Sequence, residues 1–275
     1  MSPGNLMEMV KVEHLTKLFP VRNRLLLSIS TNICAVDNIS FEIERGKILG
    51  LVGESGCGKT TTAKLLARLL TPTSGNIYIK GADIAGLKRK ALKIFRKNIQ
   101  MIFQDPYESL NPRFTVHSTI AEPLKAQGLY DIEKIHDSLE VVGLTPPKEF
   151  LFRYPHELSG GQRQRVAIAR ALVIDPIFVV ADEPASMLDV SIRAGVLNLL
   201  LDLREKYNLT LLFITHDLAV ARYMCDNIAV MYNGKIVELG KAEAVIKNPK
   251  HSYTKALLAA VPIPNPKVRR ERIKR

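Results

Sequence analysis

The chain has 275 residues, 47% of them hydrophobic, enough to bury one substantial core without dividing into independently folding domains. Its formal charge of +12 favours phosphate-rich partners, a class that includes nucleotides, nucleic acid and anionic lipid headgroups. No apolar run approaches the ~20 residues needed to cross a bilayer, and residues 1–10 lack a basic start followed by an apolar stretch. The expectation is a cytoplasmic α/β protein with neither signal peptide nor membrane anchor.

In chain order, the β-rich runs Val10 to Phe19 and Ala35 to Ile43 predict two strands, with residues 21–34 as the connection of a hairpin. Lys47 to Val52, Ile99 to Phe103, Ile177 to Ala181 and Leu209 to Ile214 are apolar at nearly every position rather than alternating, which marks strands covered on both faces. Helical spacing between them, as in Thr62, Leu65, Leu66 and Leu69 or Val166, Ala169 and Val173, supplies the covering helices. The pattern predicts a mostly parallel sheet sandwiched by helices. Residues 105–170 interrupt the rhythm with several prolines and a helix over Asp131 to Val142, so they read as a helical insertion. After about Asn248 the chain predicts a short helix, a proline-interrupted stretch and a mobile basic end, Lys267 to Arg275. Cys34, Cys57 and Cys225 are far apart and form no CxxC, so neither a disulfide framework nor a zinc or iron–sulfur site is expected.

Chemistry narrows the partner to a nucleotide. Gly53-Glu54-Ser55-Gly56-Cys57-Gly58-Lys59-Thr60, with Thr61 behind it, matches GxxxxGK[ST] directly after an apolar run and before a helical pattern. Gly56 and Gly58 let the backbone curl so that N–H groups face phosphates, and the helix adds its positive end. Lys59 would reach the β- and γ-phosphates and the Thr60 hydroxyl would ligate Mg²⁺. Cys57 admits two readings, a thiol activated by the helix terminus or ordinary variation at a position read through its backbone.

The run Ile177 to Ala181 ends in Asp182-Glu183, and charge at the end of a buried strand is costly without a partner. ATP-bound Mg²⁺ is that partner, with Asp182 on the metal side and Glu183 polarising the attacking water. Farther up the chain, Leu158-Ser159-Gly160-Gly161-Gln162 precedes a helical run and offers a second anion site, a hydroxyl and free N–H groups at a helix start. Two phosphate sites and one GxxxxGK[ST] loop suggest a pocket shared by two subunits.

With these motifs in this order, residues 9–246 resemble the ABC (ATP-binding cassette) ATPase family, a P-loop NTPase fold with a helical subdomain at about 105–170 and an N-terminal antiparallel β part. The resemblance implies that Gln104 in MIFQDP touches Mg²⁺ or the attacking water where a membrane partner docks. It implies that Asp189 in SMLDVS belongs to the dimer contact and that His216 in FITHD senses the γ-phosphate. Phe19 in LTKLFPV resembles the aromatic that stacks on adenine, the alternative being a core aromatic. Family members work as head-to-tail dimers, the P-loop of one subunit closing on the signature motif of the other.

Gln104-Asp-Pro-Tyr-Glu-Ser-Leu-Asn-Pro-Arg113 and the HSYTKALLAAVPIP stretch that starts at His251 look like the dipeptide/oligopeptide importer ATPases. That subfamily implies two transmembrane permease subunits, a second ABC ATPase subunit in a heterodimer and an extracytoplasmic substrate-binding protein, at the cytoplasmic face of the membrane. Peptide is the leading cargo, with oligosaccharide and nickel as alternatives. Met187 stands where the subfamily usually has Ala. A nucleic-acid-associated ABC ATPase is the alternative from another class, but its usual tandem cassettes, coiled coils and zinc modules are missing from the pattern, so no nucleic acid is expected. A binding module with dead chemistry conflicts with the presence of Lys59, Asp182, Glu183 and His216. The basic tail is either a solvated end or attracted to anionic lipid or the permease.

Overall fold

A computed structural model describes residues 8–21 and 31–260 of the chain. Its strands are β1 (Glu8–Val21), β2 (Thr31–Glu44), β3 (Ile48–Val52), β4 (Ser74–Ile79), β5 (Ala82–Asp83), β6 (Ile99–Ile102), β7 (Phe178–Asp182), β8 (Thr210–Thr215), β9 (Asn227–Tyr232) and β10 (Lys235–Lys241). The helices are α1 (Lys59–Leu66), α2 (Arg89–Arg96), α3 (Pro106–Ser109), α4 (Val116–Gln127), α5 (Ile132–Val141), α6 (Gly160–Leu172), α7 (Val190–Tyr207), α8 (Leu218–Met224), α9 (Ala242–Lys247) and α10 (Ser252–Ala260).

Six strands form one sheet in the order β10-β9-β3-β8-β7-β6, parallel except for the β9–β10 pair. Every residue of β3, β7 and β8 is buried, as the unbroken apolar runs require. A second sheet, β2-β1-β4-β5, is antiparallel throughout. The predicted β1–β2 hairpin pairing is present, with both strands longer than expected; the apex of the connection, residues 22–30, lies outside the described residues. So does the proline-interrupted basic end from residue 261 onward. The β4–β5 and β9–β10 hairpins had no counterpart among the expected strands.

Alternation along the central strands divides the interior in two. Ile48 and Val52 of β3, Val179 and Ala181 of β7, and Leu211 and Phe213 of β8 pack with α4 to α8. Their neighbours Leu49 and Leu51, Phe178 and Val180, and Leu212 and Ile214 pack instead with α1 and the second sheet. At roughly 1.5–3 kcal/mol for each fully buried large apolar side chain, both layers contribute substantially to stability.

The stretch 105–170 holds α3, α4, α5 and most of α6 and contributes no strand. The caps in it are local: Asp105 accepts from Tyr107 N–H, Thr115 from Ser118 N–H and Asp131 from Glu133 N–H. Gly128 closes α4 in the left-handed conformation.

Candidate nucleotide-binding site

Parallel pairing brings the carboxyl ends of four strands to one edge. Val52 is level with Thr215, Asp182 with Ile214, and Ile102 with Ala181. Gly53, Gln104, Glu183 and His216 each follow within two residues of those ends, so their sequence positions, though far apart, converge in space. The carboxyl edge is where open α/β sheets bind ligands.

The loop from Gly53 to Gly58 wraps the start of α1, whose first turn has no side-chain cap and leaves its N–H groups to a ligand. Its shape is enforced from outside. Gly58 has φ 112°, and a β-carbon there would lie 2.3 Å from the Ala35 carbonyl oxygen of β2. One at Gly53 would lie 2.2 Å from the Met231 carbonyl oxygen of β9. The Cys57 carbonyl accepts from Gly234 N–H at 2.9 Å, so both sheets grip the loop. Lys59 is buried, and its ammonium donates to the carbonyls of Gly53 (2.7 Å) and Glu54 (2.8 Å) and makes a longer contact with Cys57 Sγ (3.9 Å). Glu54, Ser55 and Gly56 are exposed, as is Thr60, while Thr61 is half-buried.

Of the two readings of Cys57, its burial favours ordinary variation over the activated thiol. The side chain is buried, and burial pushes the thiol up more strongly than Lys59 pulls it down.

Thr60 Oγ1 lies 3.4 Å from Asp182 Oδ1. Asp182 is buried, and burial pushes its carboxyl above the usual range, with the Thr60 hydroxyl and Lys59 pulling only partly the other way. A buried carboxylate beside a hydroxyl is a hard-oxygen donor pair that suits a small divalent cation. Glu183 has a left-handed backbone, φ 46°, which turns its side chain out of the strand direction followed by Asp182. Its Oε2 receives His216 Nδ1 at 3.0 Å and Gln104 Nε2 at 3.4 Å. Against an ionised carboxylate, Nδ1 of His216 is the proton-bearing nitrogen.

Other expected residues stand apart from this centre. Ser159 caps α6 in a reciprocal box with Gln162: Ser159 Oγ accepts from Gln162 N–H at 3.3 Å, and Gln162 Oε1 accepts from Ser159 N–H at 2.9 Å. The Ser159 hydroxyl proton and the N–H groups of Gly160 and Gly161 remain at the helix start. Among the described residues no hydrogen bond joins this corner to the Gly53–Thr60 loop, to the carboxylates or to His216. Asp189 precedes α7, exposed, between the exposed Met187 and Val190. Phe19 is half-buried on β1, paired with Ile33, two residues along β2 from the Ala35 carbonyl that abuts Gly58; Lys17 Nζ sits 5.1 Å over its ring.

Two contacts were not foreseen. Arg163, one residue beyond the Ser159–Gln162 corner, is buried with its guanidinium 3.9 Å over the exposed ring of Tyr107, which follows Gln104 by three residues. Tyr253 of α10 accepts a hydrogen bond from Glu54 N–H at 3.0 Å. Neither is visible as a motif, because each joins segments brought together only by the fold.

Comparison with known proteins defines the class. Residues 36–186 match the family model for ABC transporters, and residues 237–275 match that for the oligopeptide/dipeptide transporter C-terminal region. A dimeric ATP-binding cassette in a post-hydrolysis state with ADP and Pi superposes with a TM-score of 0.74 at 30% identity, covering 85% of this chain and 99% of that one. The chain belongs to the ABC transporter family and carries its ATPase cassette. The relatives it resembles include the oligopeptide transport ATP-binding protein AppF of Bacillus subtilis, 48% identical over 99% of this chain and 84% of that protein. OppF of the same organism is also similar, 52% identical over 87% of this chain and 80% of that protein.

Proposed function

We propose that the chain is the ATP-hydrolysing subunit of a peptide importer, working at the cytoplasmic face of the membrane. Support for peptide as cargo comes from relatives named as oligopeptide transport ATP-binding proteins, about half identical over four-fifths or more of their length, and from the match of residues 237–275 to the oligopeptide/dipeptide C-terminal region. The observation that carries the chemistry is the Glu183 carboxylate held between His216 and Gln104 at the edge where the Lys59 loop ends.

In this reading the loop amides and the start of α1 bind the phosphates, and Lys59 supplies positive charge to them. Thr60 and Asp182, with Gln104, hold Mg²⁺, which when bound supplies positive charge against the phosphate oxygens. Glu183 accepts the proton of the attacking water. His216 keeps Glu183 oriented through Nδ1, and this contact places its ring to sense the γ-phosphate. Phe19 stacks on the adenine. Ser159, Gly160, Gly161 and Gln162 complete the pocket of a second subunit, and the apolar pair around Asp189 seals that contact. Residues 9–246 act as the cassette and residues 247–275 as an extension.

The complete machine contains two transmembrane permease subunits, a second ABC ATPase subunit in a heterodimer and an extracytoplasmic substrate-binding protein, with no nucleic acid. The test is to tag the chain, solubilise membranes of its native host in mild detergent and identify what co-purifies. Two multi-spanning proteins and a second ATPase are the expected result. A pool associated instead with nucleic acid would overturn the transport reading and leave the ATPase in place.

A further inference from the structure

Tyr253 reaches the phosphate loop from the far end of the chain. Its hydroxyl oxygen accepts the N–H of Glu54, 199 residues earlier, at 3.0 Å. That N–H belongs to the same planar peptide unit as the Gly53 carbonyl, and the Gly53 carbonyl accepts from Lys59 Nζ at 2.7 Å. In a trans peptide the N–H and C=O point in opposite directions. Tyr253 and Lys59 therefore hold one peptide plane from its two ends.

The tyrosine is itself held in place. Its ring packs on Tyr232 with centroids 4.2 Å apart. Its own N–H donates to His251 Nδ1 at 3.1 Å. The residues before α10 are pinned by Glu238 of β10, whose two carboxylate oxygens accept from Lys250 N–H and His251 N–H, each at 2.9 Å. Leu257 and Leu258 of α10 pack against the main core. A contact made by a supported side chain transmits position, whereas one made by a loose end does not.

We propose that Tyr253 is a positioning residue for nucleotide binding: it fixes the orientation of the Gly53–Glu54 peptide, and through it the aim of Lys59, so that the C-terminal helix sets the affinity of the phosphate loop. This rests on the ATPase reading of that loop. It extends the reading by making the region after β10 part of the nucleotide site, and by linkage nucleotide must in turn steady α10.

The test uses the full chain with Tyr253→Phe, which keeps the ring on Tyr232 and removes only the acceptor oxygen. The expected result is ATP and ADP affinity weakened about three- to tenfold, the range of one ordinary hydrogen bond, with KM rising in step and kcat within twofold. Glu238→Gln, which releases the start of α10 instead, should weaken nucleotide in the same direction. The double variant should lose little more than the worse single one, because both act through the same contact. Nucleotide should slow amide exchange across α10 in the parent chain and not in Tyr253→Phe. Unchanged affinity in Tyr253→Phe, or fully additive losses, would overturn the proposal. Lys59→Ala separates the two levels: normal nucleotide binding in that variant breaks the ATPase reading, whereas a defective Lys59→Ala beside a normal Tyr253→Phe breaks only the role given to Tyr253.

Discussion

His216 places Nδ1 3.0 Å from Oε2 of Glu183, although 33 residues separate them and they sit at the ends of adjacent parallel strands. The same oxygen also receives Gln104 Nε2 at 3.4 Å, from the strand on the other side of β7. A carboxylate held by two donors from its two flanks is oriented before any water arrives, the preorganisation that a general base requires.

Glu183→Gln keeps the shape of that side chain and removes its charge. Phosphate release should fall by about 10²–10⁴-fold while ATP affinity stays within a few-fold of the parent. Turnover near the parental rate would remove Glu183 from the role of base.

The tight fit of Gly58 against Ala35 separates two neighbouring glycines of the loop. Gly58→Ala places a β-carbon 2.3 Å from a backbone oxygen, whereas Gly56, also at positive φ, has nothing within 4 Å. Gly56→Ala should cost about 1 kcal/mol, the ordinary penalty for a left-handed alanine, and Gly58→Ala several-fold more, read as denaturation midpoints. Equal midpoints would mean that β2 does not brace the loop.

Thiol accessibility follows burial. All three thiols are pushed upward, chiefly by burial, but Cys34 is exposed whereas Cys57 and Cys225 are buried, so access sets the order of reaction. Iodoacetamide at neutral pH should label Cys34 first and the other two only on unfolding, as read by mass spectrometry of digests. Early labelling of Cys57 would restore the activated-thiol reading.

Glu238 makes the docking of α10 depend on pH. Burial pulls its carboxyl up, but the N–H groups of Lys250 and His251, each 2.9 Å from a carboxylate oxygen, help hold it below the usual range. An acid whose folded pKa is depressed contributes stability that is fully present above its unfolded value, about 4.3, and is lost as pH falls through the lower folded value. The protection factors of the α10 amides, corrected for intrinsic exchange, should therefore be flat from pH 7 to 5 and fall below about pH 4 toward those of Glu238→Gln. Parallel profiles for the two chains would sink this assignment.

Much of the site is legible from the order of residues because its chemistry is local. Gly53 to Thr60 is one contiguous loop, and Asp182-Glu183 and His216 directly end buried apolar runs, so strand and motif announce each other. The strands at the margins were missed for the opposite reason. β4 pairs with β1, about 65 residues away, and its Gly75 and Asn76 read as turn residues until β1 is beside them. Tyr253 lay in a stretch read as a short helix and as a resemblance but not as part of the site, because a hydroxyl-to-amide contact across 199 residues leaves no spacing rule behind. The Cys57 thiol depends on how Lys59 and the covering strands crowd it, which composition does not carry.

The central sheet keeps two layers of side chains apart, with residues of β3, β7 and β8 alternating between them. The layers communicate chiefly through the shared backbone. Slipping any one of these strands by a residue would exchange its side chains between chambers of different shape, so register is policed from both sides at once. A substitution that loosens one chamber is felt by the other mainly as a tilt of those strands, and a tilt is largest at their tips. Asp182 and Thr215 stand at those tips, so hydrolysis should be a more sensitive gauge of damage in either chamber than the melting temperature of the whole chain.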